Sequence, residues 1–365
     1  MKHSILRLLA LSLIVLSGPG CRPTKANTAA NTTAVTAATS ADLPTVGAPT
    51  NPAIQYELSG GPGHYDYAPS AIEDEHGIRY MFLCENKKPF EIVDHVYLYK
   101  GIPTAKGYVW TPGTEIVAPS KTGWDKIHIC DPDVRQLDFK YKGQQYHYIM
   151  TYLGVDQWWN HNQIGLAFSK AIEGPYIKWD RNPLISYSDT TTWGVGQSTS
   201  IVLDSSTIQL FYSKSEKPKG RMYVRTIKFR EDNIDIGQEQ PVPHLYPNTY
   251  FAYNEKYKFA VSEVRIDQDK LIPTWVGNHV RVTCQPREAD MFDSTNQWKE
   301  LGLIGPAQSH FPRNHNPGFL TDTRGYLLPG KDLIVYFTVA VTGDDWLWSY
   351  NLYSATYKYN ELGLP

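Results

Sequence analysis

The sequence predicts an all-β protein folded as a five-bladed β-propeller, preceded by a disordered N-terminal tether. Among the 365 residues, 25 Tyr and 10 Trp favour strands, and 27 Gly and 25 Pro favour turns. No stretch keeps a 3.6-residue apolar period for long, so we expect few and short helices. The strongest observation is a turn-prone segment followed by a β-rich hairpin, which occurs five times and is typical of propeller blades.

Each of the five repeats begins with a short polar or turn-prone segment that runs into an alternating apolar stretch. These segments occupy residues 67–70, 130–133, 196–199, 245–248 and 315–318. They lie about 50 to 70 residues apart, which leaves room for about four short strands with their turns in each repeat. The sequence therefore predicts five blades within a single propeller domain over residues 51–365.

The N-terminal segment predicts export. Lys2, His3 and Arg7 precede an apolar run over residues 8–16, which has the length of a signal-peptide core and is too short for a membrane-spanning helix. The following residues resemble a bacterial lipoprotein signal in which Cys21 becomes the lipidated N-terminus, with ordinary cleavage as the alternative. We therefore expect a signal peptide over residues 1–21 and a location in the bacterial cell envelope. The lipid at Cys21, on the outer membrane or the periplasmic side, is then the only membrane contact.

Residues 22–50 are mostly Thr, Ala, Asn, Ser and Pro, and they contain few large apolar side chains. Such a segment cannot bury enough surface to offset the entropy of ordering, so we expect a flexible linker. The formal net charge of the chain is −2, which argues against a nucleic-acid partner. We expect a monomer.

Three cysteines remain beyond the lipidation site, namely Cys84, Cys130 and Cys284. Their number is odd and their spacing is wide, so the sequence indicates neither a disulfide framework nor a metal cluster. It predicts buried free thiols.

The first strand of each propeller blade lines the central channel, so residues at the starts of the five repeats should converge on one funnel. These candidates are Asp66 with Ala68, Asp131 with Asp133, Gln197, Tyr246 with Asn248, and His315 with Asn316. Strict alternation along a strand would place Asp131 and Asp133 on one face, where like-charge repulsion raises one pKa. Two carboxyls facing a sugar suit glycoside hydrolysis. The alternative for an Asp beside Pro is a strand-entry residue.

Aromatic side chains provide a second indication of sugar binding. Trp158 and Trp159 lie in a polar segment, where rings flanked by hydrogen-bonding groups can stack on a pyranose. Trp193 precedes Gln197, and Trp346 and Trp348 follow an acidic pair, so these rings are further candidates. The alternative for each is packing in the protein interior.

Several segments resemble the five-bladed propeller glycoside hydrolases of family 43 and its relatives, which include arabinofuranosidases, β-xylosidases and sucrose-cleaving enzymes. Residues 131–134, 146–152, 164–169 and 174–179 resemble the second blade of these enzymes, and residues 68–72 resemble the first. Residues 315–319 resemble a late segment whose His faces a central metal ion. The resemblance covers about residues 60 to 360 and implies the propeller fold and a glycosidase activity.

The resemblance also implies roles for individual residues. Asp131 matches the carboxylate that tunes the pKa of the acid and orients the sugar. The first-blade position usually held by Asp is Ala68 here, which makes Asp66 the expected base, and the later Glu position holds Gln197. The acid must then be Glu263, Glu85 or His315, and Glu263 is our choice. The expected substrate contacts are Asp133, Trp158, Trp159, Trp193, Gln197 and Asn316.

We expect no required cofactor, although a structural calcium or sodium ion held near His315 would fit the resemblance. The function predicted from the sequence is a glycoside hydrolase acting on oligo- or polysaccharides. Two alternatives use the same fold: a surface lipoprotein that binds glycans without cleaving them, and a structural or protein-binding propeller.

Overall fold

The computed structural model describes residues 51–157, 161–216, 220–266, 277–343 and 346–364. Over these ranges the chain forms 22 strands, one helix, α1 (Pro306–Ser309), and two short 3-10 turns at Leu347–Ser349 and Tyr359–Glu361. The expected scarcity of helices is confirmed for this part of the chain. None of the helices in it is long and apolar enough to cross a membrane. The predicted signal peptide, the lipidation site Cys21 and the linker over residues 22–50 lie outside the described residues.

The strands form five blades. Blade 1 contains β2 (Asp66–Glu73), β3 (Arg79–Asn86), β4 (Asp94–Thr104), β5 (Gly107–Trp110) and β6 (Thr114–Val117). Blade 2 contains β7 (His128–Tyr141), β8 (Gln144–Val155), β9 (Gln163–Ser169) and β10 (Ile177–Lys178). Blade 3 contains β11 (Val195–Asp204), β12 (Thr207–Lys214), β13 (Arg221–Phe229), β14 (Ile234–Ile236) and β15 (Gln240–Val242). Blade 4 contains β16 (Thr249–Tyr253), β17 (Tyr257–Val264), β18 (His279–Pro286) and β19 (Lys299–Ile304). Blade 5 contains β20 (Arg313–Thr321), β21 (Leu333–Ala340), β22 (Asn351–Tyr357) and β1 (Ala53–Leu58).

The two ends of the propeller sequence meet in blade 5. The first strand, β1, pairs antiparallel with the last, β22, and completes that blade. The inner strands β2 and β20 also form a short parallel pairing at Ala71 with Leu320 and at Ile72 with Thr321. Both connections join early to late parts of the chain and close the ring of blades. The predicted five-bladed β-propeller is confirmed.

The inner strands share a backbone irregularity near their starts. Five residues other than glycine have positive φ there: Ala68 at 53°, Asp131 at 46°, Gln197 at 49°, Asn248 at 59° and Asn316 at 43°. The strand pairing shifts register across Ala68, Asp131, Gln197 and Asn316, which is the pattern of a β-bulge. Asn248 lies just before β16, the inner strand of blade 4. The extra residue at each bulge interrupts the side-chain alternation of the strand.

The apolar core lies between neighbouring blades. Phe139 of blade 2 lies 5.2 Å from the ring of Phe168 in the same blade and 4.8 Å from the ring of Phe229 in blade 3. All seven residues of β9 are buried. Since each blade is covered on both faces by its neighbours, its strands are apolar on both sides, which accounts for the richness in Tyr, Phe, Val and Ile.

The prediction for two of the cysteines was wrong. Cys84 of β3 and Cys130 of β7 form a disulfide between blades 1 and 2, with their Cα atoms 5.2 Å apart. The wide sequence spacing concealed the pair, because the propeller packs the two strands side by side. Cys284 is a buried free thiol, as predicted, and burial raises its pKa to about 11.

We expect replacement of both Cys84 and Cys130 by Ser to lower the free energy of unfolding by about 2 to 4 kcal/mol, because the bond closes a long loop in the unfolded chain. Urea unfolding of the oxidised parent and the double variant measures this difference. The matched control is Cys284→Ser, which keeps the disulfide, so a reductant should lower its unfolding midpoint as it does that of the parent and should not affect the double variant. An unchanged unfolding midpoint of the parent after complete reduction would contradict the expectation.

Candidate functional site

The five residues with positive φ near the starts of the inner strands meet at the centre of the propeller and line a funnel that opens to solvent. The funnel has about 40 Å³ of space for the centres of water-sized molecules, and its walls include Ala68, Asp131, Gln197, Asn248 and Asn316. The residues that follow them complete the lining: Pro69, Pro132, Ser198, Thr249, Tyr250 and Pro317. The site is therefore built from one equivalent position in each blade.

Of these lining residues, Asp131 is the one with a carboxyl side chain. It is buried, and its pKa is raised to about 7 by burial first and then by the negative charge of Asp94. The charge of Glu263 acts in the same direction, while His128 and the backbone N–H of Gln197 oppose the increase. Near neutral pH the carboxyl is thus divided between its protonated and ionised forms, the condition that suits a group transferring protons.

The disulfide lies directly against this carboxyl residue. The backbone N–H of Asp131 donates to Sγ of Cys84 at 2.9 Å, and Sγ of Cys130 lies 3.5 Å from Oδ1 of Asp131. Asp131 is thereby fixed at the seam between blades 1 and 2.

Asp94 and His128 are functional candidates that the sequence reasoning missed. The hydroxyls of Tyr65 and Tyr67 donate to Oδ1 and Oδ2 of Asp94 at 2.5 Å and 2.8 Å, and Nδ1 of His128 lies 3.0 Å from Oδ2. Burial works to raise the pKa of Asp94, but His128 and the two hydroxyls lower it below its usual value. Asp94 is therefore a fixed negative charge beside Asp131. The sequence offered one signal, a His three residues before Asp131.

Glu263 lies on the opposite side of the funnel, between blades 4 and 5. Its Oε1 accepts from the backbone N–H of Gly277 at 2.7 Å. Its Oε2 accepts from the backbone N–H of Asn316 at 3.3 Å and from Nδ2 of Asn248 at 3.4 Å. Glu263 thus lies directly behind two funnel residues and is partly exposed. It interacts electrostatically with Asp131.

Asp66 does not line the funnel, contrary to the expectation that it supplies the base. The bulge at Ala68 separates the two side chains, and Asp66 pairs across the strands with Glu85. Asp66 is fully buried, and burial together with the charge of Glu85 raises its pKa well above the usual value. A buried, protonated carboxyl outside the funnel is unsuited to activating a water molecule there.

Glu85 is likewise removed from the funnel. Tyr99 donates to its Oε2 at 2.6 Å, and Nδ1 of His64 lies 3.8 Å from its Oε1. These contacts lie inside blade 1, and Glu85 is not among the lining residues. The alternative that Glu85 supplies the acid is therefore not supported by its position.

Asp133 is a structural residue rather than the expected sugar contact. It is fully buried and lies 2.7 Å from Nη2 of Arg135, while Ser200 and Tyr250 donate to its two oxygens at 2.5 Å and 3.0 Å. The repulsion expected between Asp131 and Asp133 was also wrong, since the negative charges that act on Asp131 are Asp94 and Glu263. Tyr250, a lining residue, links this buried ion pair to the floor of the funnel.

Among the other predicted sugar contacts, Gln197 and Asn316 line the funnel. Trp193 is half-buried and packs beside the disulfide with Leu153. Trp158 and Trp159 lie outside the described residues. Tyr246 is 48% exposed, and its position in the funnel is taken by Asn248 two residues later.

His315 is buried beneath Asn316 and does not line the funnel. Its Nδ1 lies 2.7 Å from Oδ1 of Asn316, and its ring packs edge-on against Tyr350 at 4.5 Å. Burial, reinforced by the charge of Arg313, lowers its pKa well below the usual value, so the imidazole is neutral. A neutral imidazole is unsuited to donating the proton of an acid near neutral pH.

The surroundings of His315 offer one nitrogen to an ion, and a structural calcium or sodium ion held there stays a prediction. Its Nε2 has no hydrogen-bond partner among the described residues, which leaves one nitrogen available as a ligand. Calcium, however, needs six to eight oxygen ligands. Within the described ranges, no group of three His, Cys, Asp or Glu ligand atoms lying within 4.8 Å of one another includes His315. The group that does occur contains the two disulfide cysteines and Asp131.

Comparisons with known proteins agree with this architecture at the level of fold. No family model and no curated protein matches the chain. Solved structures do match. The GH43_1 enzyme from Xanthomonas citri, solved with xylotriose, has a TM-score of 0.55 and 10% identity over 84% of this chain and 90% of that one. A family 117 glycoside hydrolase from Zobellia galactanivorans has a TM-score of 0.52 and 11% identity over 86% and 92% of the two chains.

A third similar structure is an α-L-arabinofuranosidase from Podospora anserina in complex with cellotriose. It has a TM-score of 0.50 and 10% identity, and the match covers 82% of this chain and 93% of that one. At such low identity the likeness establishes the backbone architecture and leaves the chemistry to the residues of the funnel. The chain has the five-bladed β-propeller fold of these glycoside hydrolases.

Proposed function

We propose that the protein is a glycoside hydrolase that cleaves oligosaccharides bound in the central funnel. The observation that carries the proposal is Asp131, a carboxyl in the funnel wall whose pKa is raised to about 7. A carboxyl that holds its proton near neutral pH is what a general acid in glycoside cleavage requires. The complexes of two similar structures with xylotriose and cellotriose support short β-linked oligosaccharides as the first substrates to test.

The reaction we infer uses two carboxyl groups in roles that differ from those expected from the resemblance: Asp131, whose pKa is raised to about 7, is the acid, and Glu263 is the base. Asp131 donates a proton to the glycosidic oxygen as the bond from that oxygen to the anomeric carbon breaks. A water molecule supplies the hydroxyl that bonds to the anomeric carbon, and Glu263 accepts the proton released by this water. Glu263 is not itself a lining residue, but it is partly exposed and contacts Asn248 and Asn316, two residues that do line the funnel, and these contacts support the assignment.

A second candidate function is glycan binding without cleavage. The observation that favours it is the pair Ala68 and Gln197, which occupy two of the five funnel positions without a titratable group. A funnel with one lining carboxyl and several amides can hold a sugar through hydrogen bonds alone.

We also propose that the protein acts outside the cytoplasm, anchored through a lipid on Cys21 and monomeric. The disulfide between Cys84 and Cys130 supports this location, because such bonds persist in oxidising compartments and are rare in the cytosol.

The experiment that tests the activity is incubation of the purified protein with xylo-, arabino- and cello-oligosaccharides, followed by NMR of the anomeric protons. New reducing ends are expected for the parent. Binding of a glycan without any new anomeric signal would favour the second candidate, and absence of both would refute the two proposals together.

Asp94→Asn is expected to move the alkaline limb of the activity–pH profile to lower pH by about one pH unit. Asp94 raises the pKa of Asp131, so removing its charge lets Asp131 lose its proton at lower pH. The other groups acting on Asp131 are His128, Glu263 and the backbone N–H of Gln197. The measurement is kcat/KM against pH.

His128→Gln is the opposing control for this prediction. His128 lowers the pKa of Asp131, so its loss should move the same limb to higher pH. Shifts in the same direction for both variants would contradict the assignment of the limb to Asp131. Thermal unfolding checks that neither variant has lost its fold.

A further inference from the structure

The Cys84–Cys130 disulfide joins the two left-handed positions that blades 1 and 2 contribute to the funnel. Cys84 on β3 pairs across the strands with Tyr67, which directly precedes Ala68. Cys130 on β7 directly precedes Asp131. Both Ala68 and Asp131 have positive φ and line the funnel. The covalent bond therefore ties two neighbouring blades together at the point where the backbone of each one reaches the funnel.

The sulfur atoms contact Asp131 at its backbone and at its carboxyl group. The backbone N–H of Asp131 donates to Sγ of Cys84 at 2.9 Å, and Sγ of Cys130 lies 3.5 Å from Oδ1 of Asp131. A residue other than glycine with φ of 46° is uncommon, and it persists where the surrounding structure fixes it. The disulfide thus supplies one contact that fixes this backbone and another that lies against the carboxyl.

The bond also keeps the seam beside Asp131 dry. Cys84 is fully buried and Cys130 is 3% exposed, and both pack with Leu153 and Val155 in one apolar cluster. Burial is the largest cause of the raised pKa of Asp131, ahead of any neighbouring charge. Two thiols occupy more room than one disulfide, because sulfur atoms that are not bonded cannot approach to bonding distance. Loss of the bond should therefore separate the strands here and let water reach the carboxyl.

The other groups that act on the Asp131 carboxyl do not belong to the disulfide. They are Asp94, His128, Glu263, Tyr67 and the backbone N–H of Gln197. Removal of the disulfide deletes none of these groups and no charge. A change in the proton affinity of Asp131 on loss of the bond then reports the position and the hydration of this carboxyl.

We propose that the Cys84–Cys130 disulfide is a positioning group for Asp131, and that the funnel reaches full competence for proton transfer only when this bond has formed. The inference rests on the proposed function and adds its regulation, since activity then depends on an oxidising compartment. In forming the bond, each thiol gives up one proton and one electron. A donor disulfide, such as oxidised glutathione, accepts both pairs and becomes two thiols.

NMR of the carboxyl group tests the positioning without any substrate. The protein is produced with isotope-labelled aspartate, and the Asp131 signal is identified by its absence from Asp131→Asn. In the double Ser variant, Cys84→Ser with Cys130→Ser, we expect the titration midpoint of Asp131 to fall by at least about one pH unit, because water stabilises the ionised form.

Turnover of oligosaccharides gives the second measurement. The parent and the double Ser variant are each refolded from urea with either oxidised glutathione or dithiothreitol. At pH 7 the kcat of the oxidised parent should exceed that of the reduced parent about five- to tenfold, because less of the carboxyl holds its proton once its pKa has fallen. The double Ser variant should be equally slow after both treatments, and KM should change little.

Two controls separate positioning from general stability. Cys284→Ser keeps the disulfide and should match the parent in both measurements. Ile208→Ala opens a cavity in the core and destabilises the fold without altering a lining residue, so neither the midpoint nor kcat should change below its unfolding temperature.

The two measurements also distinguish the failure of this inference from the failure of the proposed function. The same Asp131 midpoint in the parent and the double Ser variant would overturn the positioning role and leave the proposed function in place. A lower midpoint in the double Ser variant, together with no turnover by the oxidised parent, would support the positioning role and overturn the proposed function.

Discussion

Asp131→Asn is expected to reduce turnover of oligosaccharides at least about 100-fold, because it removes the group that donates the proton to the leaving oxygen. Asn nearly matches Asp in size and tolerates the left-handed backbone at this position, where φ is 46°. The loss should therefore appear in kcat while the affinity for an oligosaccharide stays close to that of the parent. Initial rates and calorimetry on the same variant separate the two.

The same substitution should stabilise the fold at alkaline pH. The pKa of Asp131 is about 7 in the folded protein, above the ordinary value of 3.8, so its stabilising contribution is complete below about pH 4 and is lost as pH rises through 7. The difference between these two pKa values corresponds to a loss of at most about 4 kcal/mol in the free energy of unfolding above pH 7. Asn carries no charge at any pH, so urea unfolding should show Asp131→Asn more stable than the parent at pH 8 and similar at pH 4.

The control for this prediction is Asp232→Asn, because Asp232 is an exposed carboxyl in the turn between β13 and β14. Its unfolding should not differ from that of the parent in a manner that depends on pH. If Asp131→Asn hydrolysed oligosaccharides as fast as the parent, Asp131 would not be the acid. A stability difference that is the same at both pH values would contradict the buried, protonated state of the carboxyl.

The positions of the five funnel residues could be predicted from the sequence, because the repeats mark the starts of the inner strands. Asp131, Gln197 and Asn316 were found in this way and line the funnel. Asp66 and Asp133 were misplaced by the same reasoning. Strict alternation places Asp66 on the same strand face as Ala68, and Asp133 on the same face as Asp131. The bulges at Ala68 and Asp131 each insert one residue, which changes the side chains that reach the funnel.

Proline after a bulge residue offered a clue to this irregularity. Pro69, Pro132 and Pro317 each follow a left-handed residue, and proline has no N–H to donate to a neighbouring strand. Loss of a hydrogen bond between neighbouring strands at equivalent places in three repeats indicates a bulge at each place, where regular side-chain alternation is interrupted.

The rest of the site depends on contacts that no local pattern specifies. Asp94 lies on the third strand of blade 1, and only the packing of blade 1 against blade 2 brings it to His128 and Asp131. The Cys84–Cys130 disulfide arises from the same seam. Such pairs combine residues from different blades, so single-repeat reasoning cannot identify them.

Arg135→Met is expected to lower the free energy of unfolding by about 3 to 5 kcal/mol, because it leaves the carboxylate of Asp133 buried without its cation. Both side chains of the pair are fully buried. The Arg135 guanidinium also donates to the carbonyl of Ser200 at 2.6 Å, to the carbonyl of Val134 at 2.7 Å and to the Tyr250 hydroxyl at 2.7 Å. These bonds join the inner strands of blades 2, 3 and 4 below the funnel floor.

The matched control is Arg230→Met, which breaks an ion pair with Asp235 on the surface and should leave the unfolding midpoint nearly unchanged. The double variant Asp133→Leu with Arg135→Met removes both charges and should lose less stability than Arg135→Met alone, since no unpaired charge then remains buried. A double variant that is no more stable than Arg135→Met alone would contradict this account. Because Tyr250 joins the pair to the funnel floor, Arg135→Met should also weaken oligosaccharide binding at temperatures where the variant is still folded, and the surface control should not.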